Sequence, residues 1–192
     1  MRQNCLAWWI AWFLLVPTTV CAAGARVEVD ETLRLLLQKA VNESDSFNDR
    51  FDAEVWLLDM SGRLARKVPQ PAERLQLLRL AHYEASRAGL PAELVLAVME
   101  VESNFDRFAI SSVGAQGLMQ VMPFWLAEIG RPDDNLFRPE TNLRMGCTIL
   151  RYYLDREKGD LPKALARYNG SVGRSVYSDK VFHALRARWY RR

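Results

Sequence analysis

Residues 91–103 read Pro-Ala-Glu-Leu-Val-Leu-Ala-Val-Met-Glu-Val-Glu-Ser, and this stretch sets the fold class. Pro91 suits a helix start, where a missing N–H costs nothing, and no further Gly or Pro interrupts the run to Ser103. With Glu102 at zero on a wheel advancing ~100° per residue, Val95, Val98 and Met99 fall within about 60° of it and Glu100 falls on the far side. The expectation is a helix that carries Glu102 in its apolar stripe and leaves Glu93 and Glu100 to water. A carboxyl so placed resists ionising, which raises its pKa. A general acid working near neutral pH needs that property. A carboxyl paired with a buried Arg or a helix end would give the same local pattern, so the helix alone leaves both readings open.

Outward from this helix, almost every segment has helical periodicity. Leu33, Leu36, Leu37, Ala40 and Val41 mark one amphipathic face, and Phe47, Phe51, Val55 and Leu58 mark another. Ser61-Gly62 predicts a break. Pro71 opens a helix that Gly89 ends, and 104–117 reads as loop with Gly114 and Gly117 inside it. A helical turn is expected over Leu118 to Met122, a short helix after Pro123, and a long helix from Pro139 to about Glu157. Leu161 to Tyr168 and Lys180 to Tyr190 give two more. No alternation is long enough for a sheet, so the chain reads as mainly α. Residues 26–70 read as an N-terminal helical extension, either packed on the rest or a mobile arm, and 71–192 as the catalytic unit.

The 192 residues are 49% apolar and 26% charged, the balance of an ordinary globular protein. A net charge of +3 with no aromatic-interleaved basic stripe argues against nucleic acid. Residues 1–25 hold a lone charge at Arg2, an apolar run from Leu6 to Val16, and a small-residue end at Ala23-Gly24-Ala25. This predicts a secretory signal cleaved after Ala25 and export to the periplasm. The alternatives are an uncleaved anchor or a lipid on Cys21, although Val20 makes a poor lipidation site. Cleavage would remove Cys5 and Cys21 and leave Cys147 alone, as a small buried residue rather than a nucleophile. His82 and His183 are the only histidines, and no cluster has ligand spacing, so neither metal nor cofactor is expected. Arg186, Arg188, Arg191 and Arg192, with Trp189 and Tyr190, read as a solvated helix end.

Beyond the helix, Glu102-Ser103-Asn104-Phe105 is followed by Ser111 and then by Gly114-Ala115-Gln116-Gly117-Leu118-Met119-Gln120-Val121-Met122-Pro123. Asn142-Leu143-Arg144-Met145-Gly146 and Arg167-Tyr168-Asn169-Gly170 come later. In these motifs, over residues 75 to 185, the chain resembles the soluble lytic transglycosylases, glycoside hydrolases of family 23 with a goose-lysozyme-like fold. The resemblance implies Glu102 as a single general acid/base acting on peptidoglycan glycan strands. It implies that Ser111, Gln120, Met122, Tyr168 and Asn169 contact substrate. Ser103 would support the helix end, and Gly114 and Gly117 would shape the loop. Gln120 could offer both donor and acceptor to a sugar. Tyr168 could bring its hydroxyl near the carboxylate. Arg167 stands where the family commonly has Ala; it could meet a peptide carboxylate, and solvent exposure is the default.

Most glycosidases use two carboxyls. Asp106, Asp133 and Asp134 are candidates for a second one, and nothing in the pattern singles any of them out. The expected reaction is therefore cleavage of the bond between N-acetylmuramic acid and N-acetylglucosamine without water, giving 1,6-anhydromuramic ends. A hydrolytic muramidase and a non-catalytic glycan-binding module are the alternatives. A monomer is expected, and residues 26–70 could meet cell-envelope machinery.

Overall fold

In a computed structural model, helix α4 (Ala92–Ser103) is deeply buried in the core. The structure describes residues 31–42, 45–47 and 49–190. The expected signal, with Cys5 and Cys21, and the terminal Arg191 and Arg192 lie outside the described residues. The elements before α4 are α1 (Glu31–Asn42), α2 (Arg50–Leu64) and α3 (Pro71–Arg87). After it come α5 (Phe124–Ile129), α6 (Pro139–Arg156), α7 (Leu161–Tyr168) and α8 (Val176–Ala184), which continues into a π-helical turn, Leu185–Trp189. The described residues are mainly α, as expected, and hold isolated β-bridges, Ile110 to Gln116 and Gln116 to Val121, instead of strands. No helix among them is long and apolar enough to cross a membrane.

Leu94, Val95, Leu96, Ala97, Val98 and Met99 are all buried. A helix apolar on all sides must be wrapped on all sides. Helix α3 packs on one side of α4, and α8 with the π-helical turn packs on another. The water-facing side expected for Glu93 and Glu100 is therefore covered. Glu93 accepts from Trp56 Nε1 at 2.9 Å. Glu100 accepts from Arg188 Nε at 2.7 Å and Trp189 Nε1 at 2.8 Å, and its other oxygen meets Lys67 Nζ at 3.1 Å. Burial pushes the Glu100 carboxyl up, but these donors outweigh it and hold its pKa below the usual value. Of the basic end expected to be solvated, Arg186, Arg188 and Tyr190 are exposed, but Trp189 is buried and Arg188 pairs with Glu100.

Helices α1 and α2 join the same core through Leu37, Ala40, Val41, Trp56, Leu57, Met60 and Leu64. Of the two expectations for the extension, its described part is packed. Helix α2 runs through Ser61-Gly62, where a break was expected, because the buried Ser61 Oγ accepts from Arg74 Nε at 2.9 Å. Arg74 also donates to Val68 O and Pro69 O, closing the turn that follows. Arg63 donates to Arg188 O and Tyr190 O, so α2 caps the end of the described chain. The last helix starts at Val176, ahead of the expected Lys180. Cys147 is buried at the α6 core face, and burial pushes its thiol far up in pKa, which leaves it inert.

Candidate active site

Glu102 stands one residue before the end of α4. The helix stops at Asn104, which is left-handed (φ 51), as is Phe105 (φ 68), so the chain turns sharply away from the carboxyl. Burial raises the Glu102 pKa from 4.5 to about 7, while a hydrogen bond from Tyr177 opposes the rise. Tyr177 Oη donates to Glu102 Oε1 at 2.6 Å. Glu102 thus sits near the pKa at which one group can give a proton and then recover one.

Two phenols face this carboxyl. Tyr177 lies in the first turn of α8 and Tyr168 at the last residue of α7. Burial first, and then the charge of Glu102, push both hydroxyls well above the usual phenol pKa, so both remain protonated donors. Tyr168 donates to the carbonyl of Met119 at 2.7 Å, not to the carboxylate. Tyr177 makes the contact that the sequence reading offered to Tyr168. Tyr177 follows the Tyr168-Asn169 motif across a loop and carries no motif of its own, so the sequence did not mark it.

The loop from Asn104 to Pro123 forms the other wall. Ser103 Oγ lies 2.8 Å from Leu118 O and 3.1 Å from Met99 O, and so ties the helix end to this loop. Ser111 and Ala115 exchange backbone and side-chain bonds: Ala115 N donates to Ser111 Oγ at 3.0 Å, which leaves the hydroxyl hydrogen of Ser111 available. Gly114 is left-handed at φ 86 and Gly117 at φ 75. A Cβ on Gly117 would lie 2.5 Å from Leu136 O, so close approach as well as φ requires glycine there. The expected helical turn over Leu118 to Met122 is absent, because Gln120 is left-handed at φ 49 and cannot continue a right-handed turn. Gln120 Nε2 donates to Ala109 O at 3.1 Å and Gly117 O at 3.0 Å. Both amide hydrogens are thus held within the loop, leaving the carbonyl oxygen as an acceptor only. Met122 is half-buried, and Asn169 is exposed just beyond α7.

Asn142, quoted in its motif without a role, is the residue that fixes this wall. It is 1% exposed on α6. Its Oδ1 accepts from Met119 N at 2.7 Å, and its Nδ2 donates to Gln116 O and Leu136 O, both at 2.8 Å. One turn on, Gly146 lets Met119 pack against the helix: a Cβ there would meet the Met119 side chain at 2.5 Å. The Met119 peptide is therefore held at N–H by Asn142 and at C=O by Tyr168.

The other candidate carboxyls are engaged elsewhere or exposed. Asp106 accepts from Phe108 N at 2.8 Å within its own turn. Asp134 pairs with Arg144 at 2.5 Å; burial raises its pKa, but Arg144 and the Arg131 N–H outweigh that and hold it below the usual value. Asp133 is exposed. Arg167 is neither free in solvent nor aimed at a ligand, because it pairs with Glu157. Among the described residues no group of three or more His, Cys, Asp or Glu is placed to hold a metal.

Residues 79–180 match the family model described as the transglycosylase SLT domain. Membrane-bound lytic murein transglycosylase C of Yersinia pestis (strain Pestoides F) is 32% identical over 123 residues, 56% of this chain and 34% of that protein. The same figures hold for the protein of that name in Yersinia pseudotuberculosis serotype O:1b. The chain thus spans about a third of the length of the curated relatives it matches. Among solved structures, an inactive mutant of lytic transglycosylase Slt from Pseudomonas aeruginosa aligns at TM-score 0.47 and 22% identity, over 79% of this chain and 33% of that one. The 70 kDa soluble lytic transglycosylase of Escherichia coli aligns at TM-score 0.47 and 20% identity, over 83% and 32%.

Proposed function

The chain belongs to the transglycosylase SLT domain family, and from that premise we propose that it is a peptidoglycan lytic transglycosylase with Glu102 as its one acid and base. The observation that carries the reading is the Glu102 carboxyl, raised to about 7 by burial and held at one oxygen by Tyr177. Its protonated form donates to the glycosidic oxygen between N-acetylmuramic acid and N-acetylglucosamine. The C1–O bond breaks, and the substrate's own N-acetyl group supports the cationic centre. Glu102, now ionised, takes the proton from the C6 hydroxyl as that oxygen closes on C1. The product is a 1,6-anhydromuramic end, and no water enters. The engagement of Asp134 with Arg144 and of Asp106 with its own turn supports a one-carboxylate route.

In this reading Ser111, the Gln120 carbonyl, Met122, Tyr168 and Asn169 line the sugar path. Ser103, Gly114 and Gly117 shape it. Residues 71–192 form the catalytic domain, and 26–70 form a helical extension that braces it. The enzyme acts in the cell envelope after export through residues 1–25, as a monomer. The relatives named as membrane-bound murein transglycosylases support that location.

Digestion of purified sacculi tests the activity. Wild-type protein should release muropeptides one water lighter than lysozyme products, and Glu102→Gln should release none while keeping its helical spectrum. Reducing muramic ends would mean a hydrolase instead, and an active Glu102→Gln would remove the assignment.

A further inference from the structure

A cavity of about 360 Å³ opens between the α1–α2 turn, α3 and the start of α4. Glu93 lines it in the first turn of α4, and Glu102 stands near the other end of the same helix, roughly 14 Å further along the axis. The cavity is therefore remote from the acid. Ser46, Phe47, Asp52 and Trp56 supply one wall, and all four precede the family match that begins at residue 79.

The aromatic part of this wall is fixed by ring contacts. Phe47 stacks on His82 with centroids 3.6 Å apart and planes 10° apart, and Trp56 meets the two rings at 5.7 and 5.0 Å. Ser46 Oγ lies 2.8 Å from His82 Nδ1, and Trp56 Nε1 donates to Glu93 Oε1 at 2.9 Å. The rest of the lining is mostly polar. Asp52 and Ser86 are exposed, and Glu93 spends one carboxyl oxygen on Trp56. No Lys or Arg lines the cavity among the described residues.

This lining selects a ligand class. Two carboxylates without a compensating cation repel phosphates and carboxylates. A simple cation meets the positive start of α4, where no side chain caps the first turn and the N–H groups of Ala92 and Glu93 have no intrahelical carbonyl to reach. A neutral ligand that both gives and accepts hydrogen bonds, with an apolar face for the aromatic wall, suits all of these groups. An acetamido sugar has that character. Its hydroxyls and amide N–H can donate to Asp52 and Glu93, its amide carbonyl can accept from the start of α4, and its C–H face can lie on Phe47.

We propose that this cavity is a second glycan site, which holds an N-acetylglucosamine unit of the wall away from the bond being cleaved. The assignment rests on the murein reading above. N-acetylmuramic acid is disfavoured, since its lactyl group adds bulk and, where the peptide is gone, a charge that Asp52 and Glu93 repel. With one sugar held here and another at Glu102, the enzyme grips polymeric wall more tightly than a short fragment.

Two measurements test this. The Glu102→Gln full chain, isotope-labelled, is titrated with a soluble oligomer of N-acetylglucosamine while its assigned indole N–H resonances are followed. The Trp56 signal should move saturably, because that N–H bonds a lining carboxylate. Asp52→Ala, at an exposed position, should raise the Kd read at Trp56 about tenfold, the weight of one bond to a charged group. In the active enzyme, Asp52→Ala should lower severalfold the ratio of kcat/KM for sacculi over that for a short soluble murein fragment. A Trp56 signal that stays still, or that moves with lysine amide and not with the oligomer, overturns the site. So does a Kd or a ratio that Asp52→Ala leaves in place. Absence of turnover on both sacculi and fragments would overturn the transglycosylase reading instead, and the resonance titration would still judge the cavity.

Discussion

Tyr177 Oη donates to Glu102 Oε1 across 2.6 Å, joining two residues 75 positions apart at the buried end of α4. The bond does two things. It occupies one carboxyl oxygen, so the proton rides on the other. It also favours the ionised form against the burial that disfavours it. Glu102 must be an acid first and a base afterward, and the balance between these two effects allows both.

Tyr177→Phe removes the opposing effect and leaves the burial. The Glu102 pKa should then climb further, moving the alkaline fall of kcat/KM upward by roughly half to one pH unit. The peak rate should drop about tenfold as the carboxyl loses its fixed orientation. A pH–rate profile reads both. An alkaline limb that stays in place would show that the phenol does not act on Glu102.

Glu102 also sets a stability trend with pH. Its folded pKa of about 7 stands above the ordinary 4.5, so the folded state holds the proton more tightly than the unfolded chain does. That contribution is fully present below the unfolded pKa and is lost as pH rises through the folded one. Above it, the fold carries an ionised carboxyl that burial disfavours. Glu102→Gln should therefore be more stable than wild type at pH 8, by on the order of 2–3 kcal/mol, and nearly equal to it at pH 4. Urea melts at the two pH values measure the difference. Equal stability at pH 8 would mean that the carboxyl is far better solvated than its surroundings suggest.

Asn142 bears the loop wall, and its loss should be expensive. Asn142→Ala leaves the Met119 N–H and the Gln116 and Leu136 carbonyls without their side-chain partner. A destabilisation of about 3 kcal/mol or more is expected. Asn142→Asp should be nearly as harmful, since it keeps the acceptor for Met119 N–H but faces two carbonyls with no donor. Denaturant melts rank the two variants against wild type. Gly146→Ala tests the same contact from the helix side, through its clash with Met119.

The helices and the acid were legible because their causes are local. Pro91, Pro71 and Pro139 open helices that run nearly to the expected ends, and the wheel put Glu102 beside Val98 and Met99. What the wheel could not show was that α4 is central. Glu100 looks solvent-facing until the turn after α2 and the π-helical turn, distant in sequence, bring Lys67, Arg188 and Trp189 to it. Tyr177 escaped for a similar reason: its role depends on the angle at which α8 meets α4, and no spacing encodes that. Asn142 and Gly146 were visible as an i, i+4 pair on one helix face. Their partner is a loop whose left-handed Gln120 is set by tertiary contacts rather than by propensity.

Lys67 and Glu100 give the sharpest electrostatic test of the site, because they should move Glu102 in opposite directions. Glu100 is two residues before the acid on α4, and Lys67 lies in the turn after α2, ahead of the family match at residue 79. Its ammonium meets Glu100 at 3.1 Å and also donates to Asn104, the left-handed residue that ends α4. Lys67→Met leaves the Glu100 charge less compensated, and a nearby negative charge raises a carboxyl pKa. Glu100→Gln leaves Lys67 and Arg188 as surplus positive charge, and the Glu102 pKa should fall. Each shift should be about half a pH unit, reduced by the partial exposure of Lys67. Both variants should lose stability, since each strips partners from a buried carboxylate or its cations. The alkaline limb of the pH–rate profile separates the charge effect from the structural one. Opposite displacements, with Lys67→Arg restoring the wild-type limb, mark a positioning role for Lys67 in catalysis. Equal displacements, or none, would leave the Lys67–Glu100 pair a purely structural contact.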